Sequence, residues 1–565
     1  MTANDTSFGL PVPDSALALQ RLYHLERSAA DRVAFTQPMG GGVVLDLTWR
    51  EVMDQVRRLA AHLKDKGFAP GSNIALLSKN TAWWLICDWA IWMAGHVSVP
   101  LYPTLSADTI RQILQHSEAR LLFVGKLDGF EGMKDGIPMG LPCIATPLAP
   151  PIDYTPWDEV LKTAPLQGEP VRPADELSTI MYTSGTTGMP KGVMHTFGTF
   201  AWSILSGLDR VQAIDEKTRM LSYLPLSHVA ERTLVEHGQL ATGMHVYFAE
   251  SLETFTQDLQ RARPTVFFSV PRLWVKFQQG VHAKMPPAKL QRLLSIPILG
   301  AIVRKKVLGA LGLDQCKFAA GGAAPMPPEL LRWYERLGLP IVEVYGMTEN
   351  CGVSHATLPG VPRPGTVGVT YRGVQSRIDP ANGEIQVKSP GTMLGYFKEP
   401  ELTRQSFTDD GWLHTGDKGQ LDAEGNLRIT GRVKDLFKTS KGKYVAPAPI
   451  EDRLVMHASV EACCVTGANL GQPLGIVMLN PDAANAAKNG GRGDLEASLA
   501  AHLKVINAAL DPHEQLECIV VVTEPWTVDN GVITPTFKVK RNRIEEIYAA
   551  RYEAWVGSRK PVLWA

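Results

Sequence analysis

The sequence predicts an α/β fold with more than one domain, and three observations support that prediction. The chain has 565 residues, of which 45% are hydrophobic and 20% charged, a globular composition with enough length for several cores. Over roughly the first 380 residues, helical patterns alternate with short apolar strand patterns, which is typical of parallel sheets covered by helices. After Gly383 the pattern changes to short hairpins, and from Ile450 helices and strands alternate again.

The first clear element is a helix between about Thr48 and Lys66. Thr48 and Glu51 form a capping-box pattern, and apolar residues then recur at helical spacing until Gly67 ends the helix. Short buried strands are predicted at residues 74–77, 120–125, 177–181, 265–269 and 342–345.

The most apolar stretch runs from Ala82 to Val99 and contains four tryptophans. It is interrupted by Asp88, Gly95 and His96, and charged groups are costly at bilayer depth. We therefore predict a buried helix followed by a strand, and no transmembrane segment.

A second apolar helix, Ile298–Leu313, carries the cationic run Arg304-Lys305-Lys306. One interpretation is an amphipathic helix that contacts a membrane. The favoured one is packing against a strand predicted at 316–320, because the apolar residues of such helices usually face a core. Peripheral membrane contact therefore stays open at this point.

The later part of the chain divides at about residues 432–434. Strands are predicted at 384–388, 412–415 and 427–430, separated by turns that suit antiparallel hairpins. A Lys- and Gly-rich segment, 434–443, then precedes the last helix-and-strand region, which is long enough for a domain of about 100 residues.

The charge balance and the cysteines restrict the function classes. Lys and Arg number 57 and so do Asp and Glu, so no overall basic field attracts nucleic acid. The seven cysteines show no C-x-x-C pair and no zinc spacing, which favours reduced thiols in a cytoplasmic protein. The N-terminus shows neither a basic nor an apolar signal region.

The sharpest motif is the string Tyr-Thr-Ser-Gly-Thr-Thr-Gly-Met-Pro-Lys-Gly at residues 182–192. Its glycines let backbone N–H groups turn inward, and its hydroxyls and Lys191 add donors and a positive charge, so it suits a polyphosphate. Pro190 and Gly192 flank the lysine where a Walker motif requires glycine and Ser or Thr. The competing interpretation is a flexible surface turn.

This string resembles the phosphate-binding signature of the adenylate-forming (AMP-binding) superfamily, which includes acyl-CoA synthetases, luciferases and peptide-synthetase adenylation domains. Further segments resemble family motifs in the same order: Leu-Pro-Leu-Ser-His at 224–228, Ala-Gly-Gly-Ala-Ala-Pro at 320–325, Tyr-Gly-Met-Thr-Glu at 345–349, Trp-Leu-His-Thr-Gly-Asp at 412–417 and Gly-Arg-Val-Lys-Asp at 431–435. The resemblance covers about residues 30–545 and is greatest to the long-chain fatty acid–CoA ligase branch.

The resemblance implies a domain organisation. Residues 1–432 would form a large N-terminal domain of helix-covered parallel sheets with a small β-barrel-like subdomain. Residues 435–565 would form a small, mobile α+β lid domain, joined through a hinge at 433–434 that includes Lys434.

The resemblance also implies the ligands of each motif. Glu349 and Thr186 would hold Mg²⁺, a hard cation that prefers oxygen, and His228 would lie near the acid. The residues implied to contact ATP are Thr183, Ser184, Gly185, Thr186, Thr187, Gly188, Lys191, Gly322, Ala323, Ala324, Tyr345, Gly346, Met347, Thr348, Asp417 and Arg432.

Residues 534–541, Thr-Pro-Thr-Phe-Lys-Val-Lys-Arg, resemble the loop with the family's catalytic lysine, which assigns that role to Lys538. Phe537 stands where many members have glycine, and Lys540 is the rival lysine. The implied catalytic set is Lys538, Glu349, Thr186 and Lys191. Lys441, Gly442 and Lys443 would face coenzyme A, although a solvated charge run is an equally good interpretation.

The predicted function is ATP-dependent activation of a carboxylic acid, favoured as a medium- or long-chain fatty acid, to an acyl-adenylate with release of pyrophosphate. Transfer to coenzyme A would then give acyl-CoA and AMP, with Mg²⁺ as the metal. Three alternatives stay open: an aryl acid as substrate, a carrier protein as acceptor, and a non-catalytic nucleotide sensor. The sequence does not distinguish a monomer from a homodimer.

Overall fold

In the computed structural model, the described residues are 12–183, 189–211, 214–324, 326–361, 363–528, 530–534 and 538–565. In chain order, the strands are Val33–Gly40 (β1), Val43–Thr48 (β2), Asn73–Leu77 (β3), Val97–Leu101 (β4), Leu121–Val124 (β5), Cys143–Ala145 (β6), Thr155–Pro156 (β7), Leu177–Thr183 (β8), Lys191–Thr196 (β9), Arg219–Ser222 (β10), His245–Phe248 (β11), Val266–Ser269 (β12), Phe318–Gly321 (β13), Ile341–Tyr345 (β14), His355–Ala356 (β15), Val369–Thr370 (β16), Gln375–Ile378 (β17), Glu384–Lys388 (β18), Gly395–Tyr396 (β19), Leu413–Leu421 (β20), Leu427–Arg432 (β21), Phe437–Lys438 (β22), Tyr444–Val445 (β23), Val460–Thr466 (β24), Leu474–Leu479 (β25), Ile519–Val522 (β26) and Val562–Trp564 (β27). The α-helices are Ala18–Ser28 (α1), Trp49–Asp65 (α2), Ala82–Met93 (α3), Ala107–His116 (α4), Trp157–Val160 (α5), Phe197–Arg210 (α6), Val229–Glu231 (α7), Gly238–Thr242 (α8), Phe255–Ala262 (α9), Pro271–Lys284 (α10), Pro287–Leu294 (α11), Pro297–Ala310 (α12), Pro328–Arg336 (α13), Pro400–Gln405 (α14), Pro447–Leu454 (α15), Pro481–Ala486 (α16), Arg492–Asn507 (α17), Arg541–Tyr548 (α18) and Tyr552–Gly557 (α19).

The largest sheet has the order β19-β9-β8-β4-β3-β5-β6-β7. The strands from β8 to β7 run parallel, while β9 and β19 add antiparallel pairings at one edge. The helices α2 and α3 pack against each other next to this sheet. The predicted capping box is confirmed, because Thr48 and Glu51 bond reciprocally at the start of α2.

Every residue of α3 is buried, including Asp88, and β4 follows it. The predicted buried helix and strand at residues 82–99 are therefore confirmed. None of the helices in the described parts of the chain is long and apolar enough to cross a membrane.

Two further sheets complete the helix-covered part of the fold. In one, β12, β13 and β14 run parallel and the antiparallel strands β15 and β16 extend the edge. In the other, β10, β11 and β1 run parallel and β2 is antiparallel. The loops that follow β12, β13 and β14 leave the same edge of their sheet, which brings the motifs at 320–325 and 345–349 together.

The predicted hairpins form an antiparallel sheet with the order β17-β18-β20-β21. Beyond it, β24 to β27 form a mixed sheet, flanked by α15, α17, α18 and α19. Two hydrophobic clusters contain only residues 437–565, whereas the other clusters contain only residues before 430. The chain thus buries two separate sets of cores, as independently packed units do.

The helix predicted at residues 298–313 is α12, and its two faces differ. Val303 packs in the same cluster as Ala319 of β13, with Val307 and Leu308 partly buried against it. The favoured packing interpretation holds for this inner face. The outer face carries apolar side chains that remain exposed to solvent, among them Ile298 and Ile302.

Candidate active site

The glycine-rich string connects two antiparallel strands. Thr183 ends β8 and Lys191 begins β9, and the two residues are paired across the strands. The predicted phosphate contacts at Ser184, Gly185, Thr186, Thr187 and Gly188 lie outside the described residues, as does the metal role of Thr186.

Tyr396 connects Lys191 to Glu349. The Lys191 Nζ lies 5.6 Å from the centroid of the Tyr396 ring, and the Tyr396 hydroxyl donates to Glu349 Oε1 at 2.8 Å. Burial and the nearby Glu349 carboxylate raise the pKa of Tyr396, so the phenol stays a donor. Tyr396 belongs to the two-residue strand β19, which offers no periodic pattern by which sequence reasoning could have found it.

Glu349 and Thr348 stand in a turn that follows β14. A Cβ at Gly346 would lie 2.3 Å from the Gly352 carbonyl carbon, so only glycine fits this close approach. The Met347 N–H donates to Asn350 Oδ1 at 2.9 Å and helps to fix the turn.

His195 supports the turn that contains Thr348 and Glu349. Its Nε2 donates to the Thr348 carbonyl oxygen at 2.7 Å, and the imidazole is buried. Burial lowers the pKa of His195 to about 4, so the ring is neutral at pH 7. Sequence reasoning missed this role, although His195 follows Lys191 by four residues in a strand, which places both side chains on one face.

The loop after β13 contains Gly322, Ala323 and Ala324, which are among the residues implied to contact ATP. The Gly322 N–H donates to Ser269 O at 3.3 Å, Ala323 has a φ of +68°, and Ala323 and Ala324 are exposed. The far end of the loop is held by Glu343, whose Oε1 accepts from the Met326 N–H at 3.3 Å. Burial raises the pKa of Glu343 to about 8.

Asp417 has both carboxylate oxygens engaged. Tyr345 donates its hydroxyl to Asp417 Oδ2 at 2.7 Å, and Arg432 Nε donates to Asp417 Oδ1 at 2.9 Å. The strands β20 and β21 place Asp417 and Arg432 opposite each other. Two motifs that are 15 residues apart thereby meet.

Lys538 stands close to the same carboxylates. Desolvation by the surrounding protein and the nearby Arg432 cation lower the pKa of Lys538, and the Asp417 and Glu349 carboxylates oppose this shift. The side chain nonetheless keeps access to solvent. The lysine predicted to be catalytic is therefore near enough to feel the charges of Glu349, which follows β14, and of Asp417 in β20.

His228 belongs to the same region. Burial, and after it the Lys538 charge, lowers the pKa of His228 to about 4. Its Nδ1 accepts from the Ala230 N–H at 3.2 Å, so the neutral ring carries its proton on Nε2. Lys540 is placed differently, because its backbone N–H donates to Val532 O within the C-terminal part.

The predicted hinge and coenzyme A residues lie after β21. Lys434 is exposed in the turn that directly follows this strand. Lys441, Gly442 and Lys443 form the exposed turn between β22 and β23, where the backbone N–H groups of Gly442 and Lys443 donate to Thr439. Both hydrogen bonds are made to Thr439, and neither involves Glu349 or Asp417.

A buried ionic cluster lies where the segment between α7 and α8 meets α3. Arg232, which has no exposed surface, forms ion pairs with Asp88 and with Glu236, the latter at 2.9 Å. It also donates to Thr179 Oγ1 of β8 at 2.7 Å. Burial raises the pKa of Glu236 well above its ordinary value, which favours the protonated carboxyl in this cluster of two acids and one cation. Sequence reasoning did not identify this cluster.

Comparisons with known proteins agree with these motifs. A model of the family described as "AMP-binding enzyme" matches residues 24–397, and one described as "AMP-binding enzyme C-terminal domain" matches residues 434–556. The solved A domain of a carboxylic acid reductase from Segniliparus rugosus, in complex with AMP and a co-purified carboxylic acid, has a TM-score of 0.79 at 23% identity. That match covers 97% of this chain and 95% of the other and shows a shared fold.

Among curated proteins, a long-chain-fatty-acid–CoA ligase, FadD15, from Mycobacterium bovis is 30% identical over 94% of this chain and 96% of its own. The peroxisomal long chain acyl-CoA synthetase 6 of Arabidopsis thaliana is 29% identical over 89% of this chain and 80% of its own. The chain belongs to the AMP-binding enzyme family, and it is an AMP-forming acyl-CoA synthetase of the branch that includes the long-chain fatty acid–CoA ligases.

Proposed function

We propose that this enzyme joins a long-chain fatty acid to coenzyme A in two steps at the site described above. The acid carboxylate first attacks the α-phosphorus of ATP and expels pyrophosphate, which leaves an acyl-adenylate. The coenzyme A thiol then attacks the acyl carbon, loses its proton and releases AMP. The observation that carries this proposal is the convergence of Lys191, Glu349, Asp417 and Lys538 in one region.

In the first step the chain's task is electrostatic, because two anions must approach each other. The Lys538 ammonium is the group we assign to the developing charge at the α-phosphate. Its position beside Asp417 and Glu349 supports this role, since both carboxylates favour the charged form of the lysine. Lys191, near the end of the glycine-rich string, is assigned to the part of ATP that leaves as pyrophosphate.

Glu349 is the residue we assign to Mg²⁺. The donor set fits this ion, because Mg²⁺ in nucleotide sites typically takes only one or two protein carboxylates together with substrate phosphates. When bound, the ion would neutralise phosphate charge. The Tyr396 hydroxyl occupies one lone pair of Glu349 Oε1 and orients the carboxylate.

The nucleotide would be held by groups on both sides. Asp417 carries the two oxygens that can accept hydrogen bonds from the ribose hydroxyls, with Arg432 and Tyr345 fixing its orientation. The exposed loop at Ala323 and Ala324 is assigned to adenine. His228, next to Lys538, is assigned to the acid side.

For the second step we propose that residues 435–565 rotate on residues 1–432 about Lys434, so that the turn with Lys441, Gly442 and Lys443 faces coenzyme A. The separate hydrophobic clusters support two rigid units, and Lys434 lies exposed between them. The present arrangement, with Lys538 beside Glu349 and Asp417, suits the first step.

We assign a positioning role to His195, because its proton on Nε2 holds the Thr348 carbonyl and, through it, the Glu349 turn. His195→Leu removes this donor, and we expect kcat to fall by roughly tenfold or more while KM for the acid changes little. His195→Gln can restore a donor and should recover much of the loss. Steady-state pyrophosphate release measures both variants, and equal loss in both would contradict the role.

The same histidine predicts an acid sensitivity. The unfolded chain protonates this imidazole below pH 6.5, whereas the folded ring resists until about pH 4, so stability falls as the pH drops across that window. At pH 5 this difference amounts to about 2 kcal/mol. We expect the unfolding midpoint of His195→Gln to fall less between pH 7 and pH 5 than that of the native enzyme. The exposed His24→Gln serves as the control.

The experiment that tests the function is a screen of pyrophosphate and AMP release across fatty and aryl acids, with and without coenzyme A. We expect acid-dependent pyrophosphate release, thiol-dependent AMP release, a preference for long-chain acids and loss of both products in Lys191→Ala. Preference for aryl acids, or no acyl transfer to free coenzyme A, would reject the assigned substrates. Failure of every acid to release pyrophosphate would reject catalysis and revive the sensor alternative.

We also propose a cytoplasmic location. All seven cysteines are free, and two of them, Cys463 and Cys464, are adjacent in β24. Free thiols in this number suit a reducing compartment.

A further inference from the structure

Apolar side chains project into solvent from α12 and from the residue before it. Ile298 is 80% exposed, Ile302 58%, Ile296 45% and Leu299 38%. Isolated exposed apolar residues are ordinary, but four within seven positions are a local concentration of apolar surface. A patch of this kind marks a contact surface.

The segment that carries the patch is strongly cationic, although the whole chain has no net charge. From residue 259 to residue 313 the sequence contains ten Lys or Arg residues and no Asp or Glu. Arg261, Arg263 and Arg272 form ion pairs with acids outside this segment. Six cations remain exposed and have no ion pair within the described parts of the chain: Lys276, Lys284, Lys289, Arg292, Lys305 and Lys306.

Charge and apolar surface share one face of α12. At 3.6 residues per turn, Ile298, Ile302, Lys305 and Lys306 fall within an arc of about 100°. Val303 projects from another side of the helix and is buried. The inner face of α12 is therefore fixed to the core, and the outer face has a row of isoleucines followed by two lysines.

We propose that this surface, the docking face, binds the headgroup region of an anionic lipid bilayer. The docking face consists of the apolar side chains and the cations of α11 and α12, namely Lys289, Arg292, Ile296, Ile298, Leu299, Ile302, Lys305 and Lys306. The isoleucines would enter the boundary of the acyl chains while the cations pair with lipid phosphates, as in helices that lie in the plane of a membrane.

Other occupants fit this surface less well. A nucleic acid would satisfy the cations but leave the isoleucines in water, because phosphate contacts need no apolar partner. A second copy of the chain, docked through the same face, would place cations against cations. An anionic bilayer complements both parts of the surface.

The docking face follows a site segment in the chain, because α11 and α12 come directly after α10. The strand β12 ends at Ser269, whose carbonyl accepts from Gly322 of the nucleotide-side loop, and α10 begins two residues later at Pro271. An enzyme bound to a bilayer through this face would meet a long-chain acid where that acid dissolves. This consequence rests on the proposed function, whereas binding to lipid does not.

The test uses the full chain and sedimentation with phosphatidylcholine vesicles, with or without phosphatidylglycerol. We expect binding to the anionic vesicles, weakened by salt, and little binding to phosphatidylcholine alone. The charge variant Lys305→Glu/Lys306→Glu and the apolar variant Ile298→Ser/Ile302→Ser should each lower the partition coefficient by about tenfold or more. Matched controls on exposed sites elsewhere, Lys217→Glu/Lys488→Glu and Leu252→Ser/Val505→Ser, should bind as the native enzyme does.

A second measurement separates this proposal from the proposed function. Pyrophosphate release with a short, water-soluble acid should be equal in the native enzyme and in both docking-face variants, which also shows that they fold. If no acid supports release, the proposed function fails while vesicle binding is still measured. The proposal is refuted if the native enzyme does not bind anionic vesicles or if the docking-face variants bind them as well as the native enzyme does. Loss of self-association or of duplex DNA binding in the variants, without an effect on vesicles, also refutes it.

Discussion

Lys538→Ala should lower the rate of acyl-adenylate formation by about 10²- to 10³-fold, the usual cost of removing one preorganised electrostatic group from an active site. The variant loses the cation that stands beside Glu349 and Asp417, where the acid and the α-phosphate are proposed to meet. Thioester formation from supplied acyl-adenylate should change little, because that step follows the proposed rotation. Acid-dependent pyrophosphate release measures the first step, and acyl-CoA formation from synthetic acyl-adenylate measures the second.

Lys540→Ala is the matched control, because it removes the same side chain two positions away. Its backbone contact with Val532 does not depend on the side chain, so the fold should persist. We expect adenylation close to that of the native enzyme. Equal loss of both half-reactions in Lys538→Ala, or a larger effect in Lys540→Ala, would contradict the assignment of the catalytic lysine.

Arg232→Met should destabilise the protein by about 3–5 kcal/mol, because it leaves two buried carboxyl groups without their cation. Asp88 and Glu236 both pair with Arg232, and none of the three side chains has exposed surface. Urea unfolding measures this change. The triple variant Arg232→Met/Asp88→Asn/Glu236→Gln should recover a large part of the loss, since neutral amides replace the two carboxyl groups left without their cation.

Arg50→Met is the control for the loss of an ion pair as such. Arg50 pairs with Asp31 at 2.8 Å, but both side chains are mostly exposed, so the cost should stay below about 1 kcal/mol. If Arg232→Met lowers the free energy of unfolding no more than Arg50→Met does, burial does not increase the contribution of the ionic cluster to stability.

Local patterns in the sequence were sufficient for many elements of the fold. The capping pair at Thr48 and Glu51, the apolar run of α3 and the short strands β3, β5 and β12 all lie where the sequence predicts them. These features depend on residues within one or two turns of each other or within one strand, which a sequence pattern can capture. The family motifs added the site residues, whose roles remain predictions.

Only the tertiary structure reveals the contacts between segments that are far apart in the chain. Tyr396 meets Glu349 across 47 residues, His195 meets Thr348 across 153, and Arg232 meets Asp88 across 144. The exposure of Ile298 and Ile302 belongs to the same class, because a helical pattern does not reveal which apolar face finds a partner. The sequence by itself therefore determined the elements and the chemistry-bearing motifs. The order and register of the sheets decided which side chains surround those motifs, because contacts at such separations depend on long-range strand pairing rather than on local periodicity.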